Sequence, residues 1–230
     1  MLYFLIFLAE LILLFILSKK LVDCLARVIY RFTRSHKVVV HILAIIFLPG
    51  TIIHELAHLL FAGVMLVPVG ELNVVPEIEE KGVKLGSVQI GHTDPFRRMI
   101  IGVAPVLLGM VLIFSLFLLV KIGIAPWWQV VLALYMLFEI GNTMFSSRKD
   151  LEGSILFIIL GLVLSLVAFL VFYFLNFNIW VYLNNLNLEF AVSFFKQAAI
   201  YLLIPVALDL LIIFLTGVIR DNKLASSGSK

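Results

Sequence analysis

The chain has 230 residues, of which 63% are hydrophobic and 13% carry a formal charge. A soluble domain averages about 45–50% apolar and about 25% charged residues, so this composition excludes a single water-soluble core and requires lipid as solvent. The formal net charge of +3 gives no reason to expect nucleic acid as a partner, and one cysteine excludes an internal disulfide.

The N-terminal region, residues 1–37, joins an apolar stretch to a basic one. We predict a short transmembrane helix over residues 2–17, then an amphipathic helix at the membrane surface. The basic residues of that second part are Lys19, Lys20, Arg27, Arg31, Arg34 and Lys37. A plain basic loop without a role in lipid contact is the alternative interpretation.

The second apolar segment, residues 38–69, is too long for one simple crossing. Pro49 and Gly50 interrupt it, and proline kinks or restarts a helix because it lacks a backbone donor. We predict that Thr51 caps a fresh helix beginning at Ile52. A chemically distinctive motif then falls in the first turns of that helix, within membrane depth.

Residues 70–98 are more polar, and their apolar residues alternate with polar ones. Val83 and Leu85 flank Lys84, and Val88 and Ile90 flank Gln89. Alternation with a period of two predicts strands. We expect a small β-hairpin or sheet associated with the membrane between the second and third transmembrane helices.

Four further apolar segments follow, at about residues 99–120, 127–145, 155–174 and 198–218. The predicted fold is therefore an all-α polytopic membrane protein of about six transmembrane helices with one small β element. We divide it into an N-terminal region (1–37), a membrane core (38–155), two C-terminal helices (156–219) and a polar tail (220–230).

The motif in the second segment reads His54-Glu55-Leu56-Ala57-His58. Positions i and i+4 of a helix share one face, so both imidazoles can donate a nitrogen to one metal ion. Zinc with two histidines, a third protein ligand and an open position is the usual catalytic arrangement. Glu55 is then placed to act as general base on a water that the metal activates.

Two other interpretations of this motif stay open from the residues alone. The histidines and Glu55 could be hydrogen-bonded inside a helix bundle, or the histidine pair could hold a haem, which needs no glutamate. Charged residues at membrane depth are costly and usually serve function, which favours the metal site. The third ligand must come from elsewhere, and Asp150, Asp94, Glu139 and His92 are the candidates.

With these residues the chain resembles the site-2 protease family of intramembrane zinc metalloproteases. That family carries HExxH on one helix and, on a later helix, Asn-x-x-Pro followed by Leu-Asp-Gly, with its Asn eight residues before the Asp. Asn142 and Asp150 have this spacing, although Phe145 and Lys149 replace the proline and leucine, and Leu151-Glu152 follows Asp150 in place of the glycine. Asp94-Pro95-Phe96-Arg97-Arg98 and Gly102-Val103-Ala104-Pro105 resemble a further family segment.

The resemblance covers about residues 50–155 and implies one Zn²⁺ per chain, held by His54, His58 and Asp150. It implies Glu55 as the catalytic residue and Asn142 as a substrate-positioning residue. The alternation around Val88, Gln89 and Ile90 predicts a strand edge that binds an extended substrate segment by main-chain hydrogen bonds.

We therefore expect an intramembrane zinc-dependent endopeptidase, multi-pass in a prokaryotic cell membrane. Its partners would be the lipid bilayer and a membrane-protein substrate cut in a transmembrane or membrane-proximal segment. The competing hypothesis is a non-proteolytic metal-binding membrane protein, either a scaffold that binds helices or a metal carrier. Basic residues are distributed so evenly that both membrane orientations stay open.

Overall fold

The computed structural model describes residues 2–73, 77–79, 82–84, 86–119, 125–145, 167 and 189–227. It is mainly helical. The helices are α1 (Leu2–Thr33), α2 (His36–Ile46), α3 (Leu48–Val64), α4 (Pro95–Leu119), α5 (Trp127–Thr143) and α6 (Glu189–Ser227). The strands are β1 (Val69–Asn73), β2 (Glu77–Glu79), β3 (Gly82–Lys84) and β4 (Ser87–Ile90).

Helix α1 is one continuous helix of 32 residues, whereas two separate elements were expected there. Its sequence contains no proline or glycine, so nothing interrupts the helical hydrogen bonds at the change from apolar to basic residues. Lys19 lies over the ring of Phe15, 3.8 Å from its centroid. This cation–π contact stabilises the charged side chain within the uninterrupted helix. At 1.5 Å per residue α1 is about 48 Å long, well beyond a bilayer core of about 30 Å.

The predicted break in the second segment is present, but it lies earlier than expected. Helix α2 ends at Ile46, α3 begins at Leu48, and their axes differ by 68°. The prediction that Thr51 caps a helix beginning at Ile52 is wrong, because Thr51 lies inside α3. Proline is favoured in the first turn of a helix, so the new helix begins just before Pro49 rather than after it.

The predicted β element is confirmed as two small antiparallel strand pairs, and the inner pair, β2–β3, lies between β1 and β4 along the chain. Strand β1 pairs with β4, with Leu72 opposite Val88 and a register irregularity between residues 69 and 72. Strand β2 pairs with β3. Residues 83–90 therefore do not form a single strand: Val83 belongs to β3, whereas Val88 to Ile90 belong to β4.

The helices pack around an apolar core in which α1 and α6 are the most extensive pair. Phe4 contacts Phe195 near one end, and Leu14 and Leu202 share a buried cluster further along, so α1 and α6 run in the same direction. Helix α5 joins this cluster, and α3 packs between α4 and α5. The core is apolar and its members are Leu14, Leu17, Ile113, Leu137, Ile140, Met144, Leu202 and Val206.

Within the described ranges, α1, α4 and α6 are long and apolar enough to cross a membrane. The bent pair α2–α3 adds a fourth crossing if it is counted as one broken span. This agrees with a multi-pass membrane protein. The predicted segment at 155–174 lies outside the described residues except for Val167, and α6 continues to Ser227 where a polar tail was expected.

Candidate metal centre

The three residues of the HExxH motif lie together in the second and third turns of α3. His54, Glu55 and His58 are each at least 95% buried. The two imidazole rings are 4.8 Å apart between centroids and nearly perpendicular, and their Nε2 atoms are 3.1 Å apart. The helix therefore brings one nitrogen of each ring to the same point, as the i, i+4 spacing predicts.

This separation of the two Nε2 atoms suits a shared metal ion. Two nitrogens bound about 2.0–2.1 Å from a tetrahedral zinc lie about 3.3–3.4 Å apart, which is close to the 3.1 Å found here. To hold zinc, both imidazoles would be neutral with the proton on Nδ1, so that each Nε2 would present its lone pair to the metal. The donor set of His54 and His58 fits zinc.

His58 is oriented by the neighbouring helix α4. Its Nδ1 lies 2.8 Å from the carbonyl oxygen of Ile101, an acceptor, so Nδ1 carries the proton and Nε2 keeps its lone pair for a metal. A backbone carbonyl that fixes the tautomer of a metal-binding histidine is a common outer partner. Sequence analysis missed Ile101, because a carbonyl present in every residue leaves no mark in the sequence.

Glu55 lies beneath the start of β4. A Cβ atom added to Gly86 would lie 2.8 Å from Cγ2 of Thr51, 3.1 Å from Oε1 of Glu55 and 3.2 Å from its Cγ. The first of these distances is shorter than real Cβ contacts and the other two are tight, so any side chain at this position would force Thr51 or Glu55 to shift. The residue just before β4 therefore packs directly against the turn of α3 that carries Glu55.

Two of the four candidate third ligands, Asp94 and His92, are accounted for by other contacts or by position. Asp94 accepts a hydrogen bond from the backbone of Arg97, 3.0 Å away, and pairs with the Arg97 side chain. His92 is exposed. In the described part of the chain no third histidine, cysteine or acid joins His54 and His58 in a metal-binding group. Asp150, the ligand that the resemblance implies, lies outside the described residues.

Glu139 is fully buried on α5, and it contacts the N-terminal end of α3 rather than the turns that carry the motif. Its Oε2 accepts the backbone N–H of Gly50, 3.1 Å away, in the first turn of that helix. The sequence made Glu139 a candidate third ligand. In the structure its carboxylate instead satisfies a backbone group of a neighbouring helix.

Asn142 is bound to α6. Its Nδ2 donates to the carbonyl of Phe138 at 2.9 Å and to Oδ1 of Asp209 at 2.7 Å. Both of these partners accept, so they determine which side of the amide faces them. The residue Asn142 is 93% buried, and no group among the described residues donates a hydrogen bond to its Oδ1. The amide can therefore offer a substrate an acceptor, whereas its donors are already used.

Residues 88–90, for which a substrate-binding strand edge is predicted, lie in strand β4. Gln89 is exposed, whereas Val88 and Ile90 are half-buried. Strand β4 pairs with β1 along one edge, and no other described strand pairs with it. Its contacts with α3 place this strand alongside the helix that carries the HExxH motif.

Comparison with known proteins adds no assignment to this geometry. No protein-family model, curated protein or solved structure matches the chain. The functional interpretation therefore rests on the residues and contacts of this chain and on the resemblance that its motifs carry.

Proposed function

We propose that this chain is an intramembrane zinc metalloprotease of the site-2 protease type. It would cut transmembrane or membrane-proximal segments of other membrane proteins. The observation that carries the proposal is the convergence of the His54 and His58 Nε2 atoms, 3.1 Å apart, on the buried face of an apolar helix. The carboxylate of Glu55, on the same helix, supplies the acid–base group that hydrolysis needs.

His54 and His58 would hold the metal with Asp150 as third ligand, and the Ile101 carbonyl would keep His58 in the tautomer that binds it. Zinc in this site would supply a Lewis acid and lower the pKa of a water molecule. Glu55 would take a proton from the attacking water and pass it to the leaving amine. Burial of all three motif residues favours this chemistry, since charge interactions are stronger where water is excluded.

A substrate helix must unwind before its peptide bond can be attacked, and in lipid the released backbone groups need new partners. The open edge of β4 at Val88, Gln89 and Ile90 would provide them by pairing with the extended segment. The contact of Gly86 with Thr51 and Glu55 supports this role, because it keeps the strand close to the catalytic carboxylate. Asn142 would accept a substrate N–H through Oδ1.

The proposal is tested by zinc content and cleavage together. We expect about one zinc per purified chain, loss of zinc in His54→Ala and His58→Ala, and retained zinc without cleavage in Glu55→Gln. Glu10→Gln is the matched control, because Glu10 is also a buried acid but lies in α1, and this variant should behave as wild type. Cleavage by Glu55→Gln at the wild-type rate would show that the mechanism is wrong.

The third ligand is tested with the same measurement. Asp150→Ala should lose most of its zinc, whereas Asp94→Ala should keep it, because Asp94 is engaged with Arg97 at the start of α4. Equal zinc in Asp150→Ala and wild type would exclude Asp150. Metal binding without chelator-sensitive cleavage of any helical substrate would favour the non-proteolytic scaffold or carrier.

A further inference from the structure

The bend between α2 and α3 breaks a specific hydrogen bond. In a continuous helix the N–H of Gly50 would donate to the carbonyl of Ile46, four residues earlier. The helix axis changes direction by 68° near Phe47, and no backbone hydrogen bond joins these two groups. Both are strong hydrogen-bonding groups, and leaving either of them unsatisfied in a lipid environment is strongly unfavourable.

Helix α5 satisfies both halves of the broken bond. The hydroxyl of Tyr135 donates to the carbonyl of Ile46 at 3.0 Å, and Oε2 of Glu139 accepts from the N–H of Gly50 at 3.1 Å. Tyr135 and Glu139 are four residues apart, so they lie one turn apart on one face of α5. The Tyr135 hydroxyl thus replaces the Gly50 N–H as the donor to the Ile46 carbonyl, and the Glu139 carboxylate replaces that carbonyl as the acceptor for the Gly50 N–H.

The close approach of the two helices makes this exchange possible. A Cβ atom on Gly50 would lie 2.8 Å from the backbone carbonyl of Glu139 and 2.6 Å from Oγ1 of Thr143. The absence of a side chain at Gly50 therefore lets α3 approach α5 closely enough for Glu139 to bind its N–H. A carboxylate is also the favourable partner at this position, because the N-terminus of a helix carries partial positive charge.

We propose that Tyr135 and Glu139 are positioning residues that hold the α2–α3 bend and so direct the metal-binding helix. His58 lies eleven residues beyond Phe47, about 16 Å along the helix axis. A change of 10° in the bend would move it by about 3 Å, and a catalytic group tolerates only about 0.5 Å. The contacts with α5 therefore control where His54 and His58 stand relative to Ile101 of α4. The catalytic consequence rests on the proposed function, whereas the bend itself does not.

The experiment measures the bend directly in lipid nanodiscs. Spin labels are placed at Lys37 and Gly63 in a Cys24→Ser background, since Lys37 is exposed and Gly63 has open space around its missing side chain. The two Cα atoms would be about 39 Å apart in a straight helix and about 33 Å apart with the observed bend. The variants are Tyr135→Phe, Glu139→Gln, Glu139→Leu and the double variant Tyr135→Phe/Glu139→Leu.

We expect a longer or broader distance distribution in Tyr135→Phe and Glu139→Leu, and the largest shift, up to about 6 Å, in the double variant. Glu139→Gln keeps an oxygen acceptor for Gly50 and should restore most of the wild-type distance. Tyr3→Phe and Glu10→Gln, which lie far from the bend on α1, should change nothing. An unchanged distance in the double variant overturns the proposal.

Kinetics on the unlabelled variants separate this inference from the proposed function. If both hold, kcat falls about tenfold in Tyr135→Phe and about a hundredfold in the double variant, while KM changes little. A distance shift in a protein whose wild type cleaves nothing would leave the bend contacts intact as an inference and contradict the protease. Wild-type kcat in the double variant would show that the contacts do not direct the metal-binding helix.

Discussion

Two helix pairs in this protein are held together in different ways. Helices α1 and α6 pack through large apolar side chains, with Leu14 and Leu202 in the shared core. Helix α5 instead approaches α3 at Gly50, where Glu139 binds the first turn of α3 and Tyr135 binds the last residue of α2. Apolar packing tolerates exchange of one side chain for another of similar volume, whereas a hydrogen bond at a close backbone approach allows one geometry. The rigid contact belongs to the helix that carries the candidate site.

The largest effect is expected from Gly50→Ala. The added Cβ would meet the backbone carbonyl of Glu139 at 2.8 Å, and a backbone atom cannot move aside as a flexible side chain can. We expect α3 to be pushed from α5, with cleavage reduced by about a hundredfold and a loss of stability of about 1–3 kcal/mol.

Gly63→Ala is the matched control for Gly50→Ala, because it lies on the same helix with no atom within 4 Å of its added Cβ. It should leave cleavage unchanged and could raise stability by up to about 1 kcal/mol, since alanine favours the helix. Unfolding in increasing concentrations of denaturing detergent measures both variants. Equal behaviour of the two glycine variants would contradict the distinction drawn between the helix pairs.

A smaller effect is expected from Gly86→Ala, which tests the contact between the start of β4 and the turn of α3 that carries Glu55. Its Cβ would meet Cγ2 of Thr51 and the side chain of Glu55 within 3.2 Å. We expect cleavage to fall about tenfold while zinc content stays at the wild-type value, because the strand and Glu55 move apart but His54 and His58 do not.

Adding Thr51→Ser to Gly86→Ala removes the methyl group nearest to the new Cβ, and it should restore part of the cleavage. Thr51→Ser alone is the control for the loss of that methyl group. Cleavage rates with one helical substrate, measured beside the zinc content of each variant, decide the matter. No recovery in the double variant would mean that the steric contact is not the cause.

The smallest effect is expected at the apolar pair. Leu202→Met conserves volume in the α1–α6 core, so stability should change by less than about 1.5 kcal/mol, and zinc content and kcat should not change. Leu202→Ala, which leaves a cavity, should cost about 2–5 kcal/mol but spare the kcat of the folded protein. A large loss of kcat in Leu202→Met would show that the α1–α6 pair also sets the geometry of the site.

The amino-acid sequence by itself determined the membrane class, the small β element and the convergence of His54 and His58. These features follow from local properties: long apolar runs, alternation with a period of two, and the i, i+4 spacing on a helix. The break near Pro49 was also local, although its position was misjudged because proline is accommodated inside the first turn.

Only the tertiary structure decided which groups orient His58 and which hydrogen bonds join the helices around it. The contacts of His58 with Ile101 and of Gly50 with Glu139 join residues 43 and 89 positions apart, and in each one partner is a backbone group. The pairing of Asn142 with Asp209 spans 67 positions. Backbone donors and acceptors occur at nearly every residue, so no sequence pattern distinguishes the few that are used, and helix packing alone selects them.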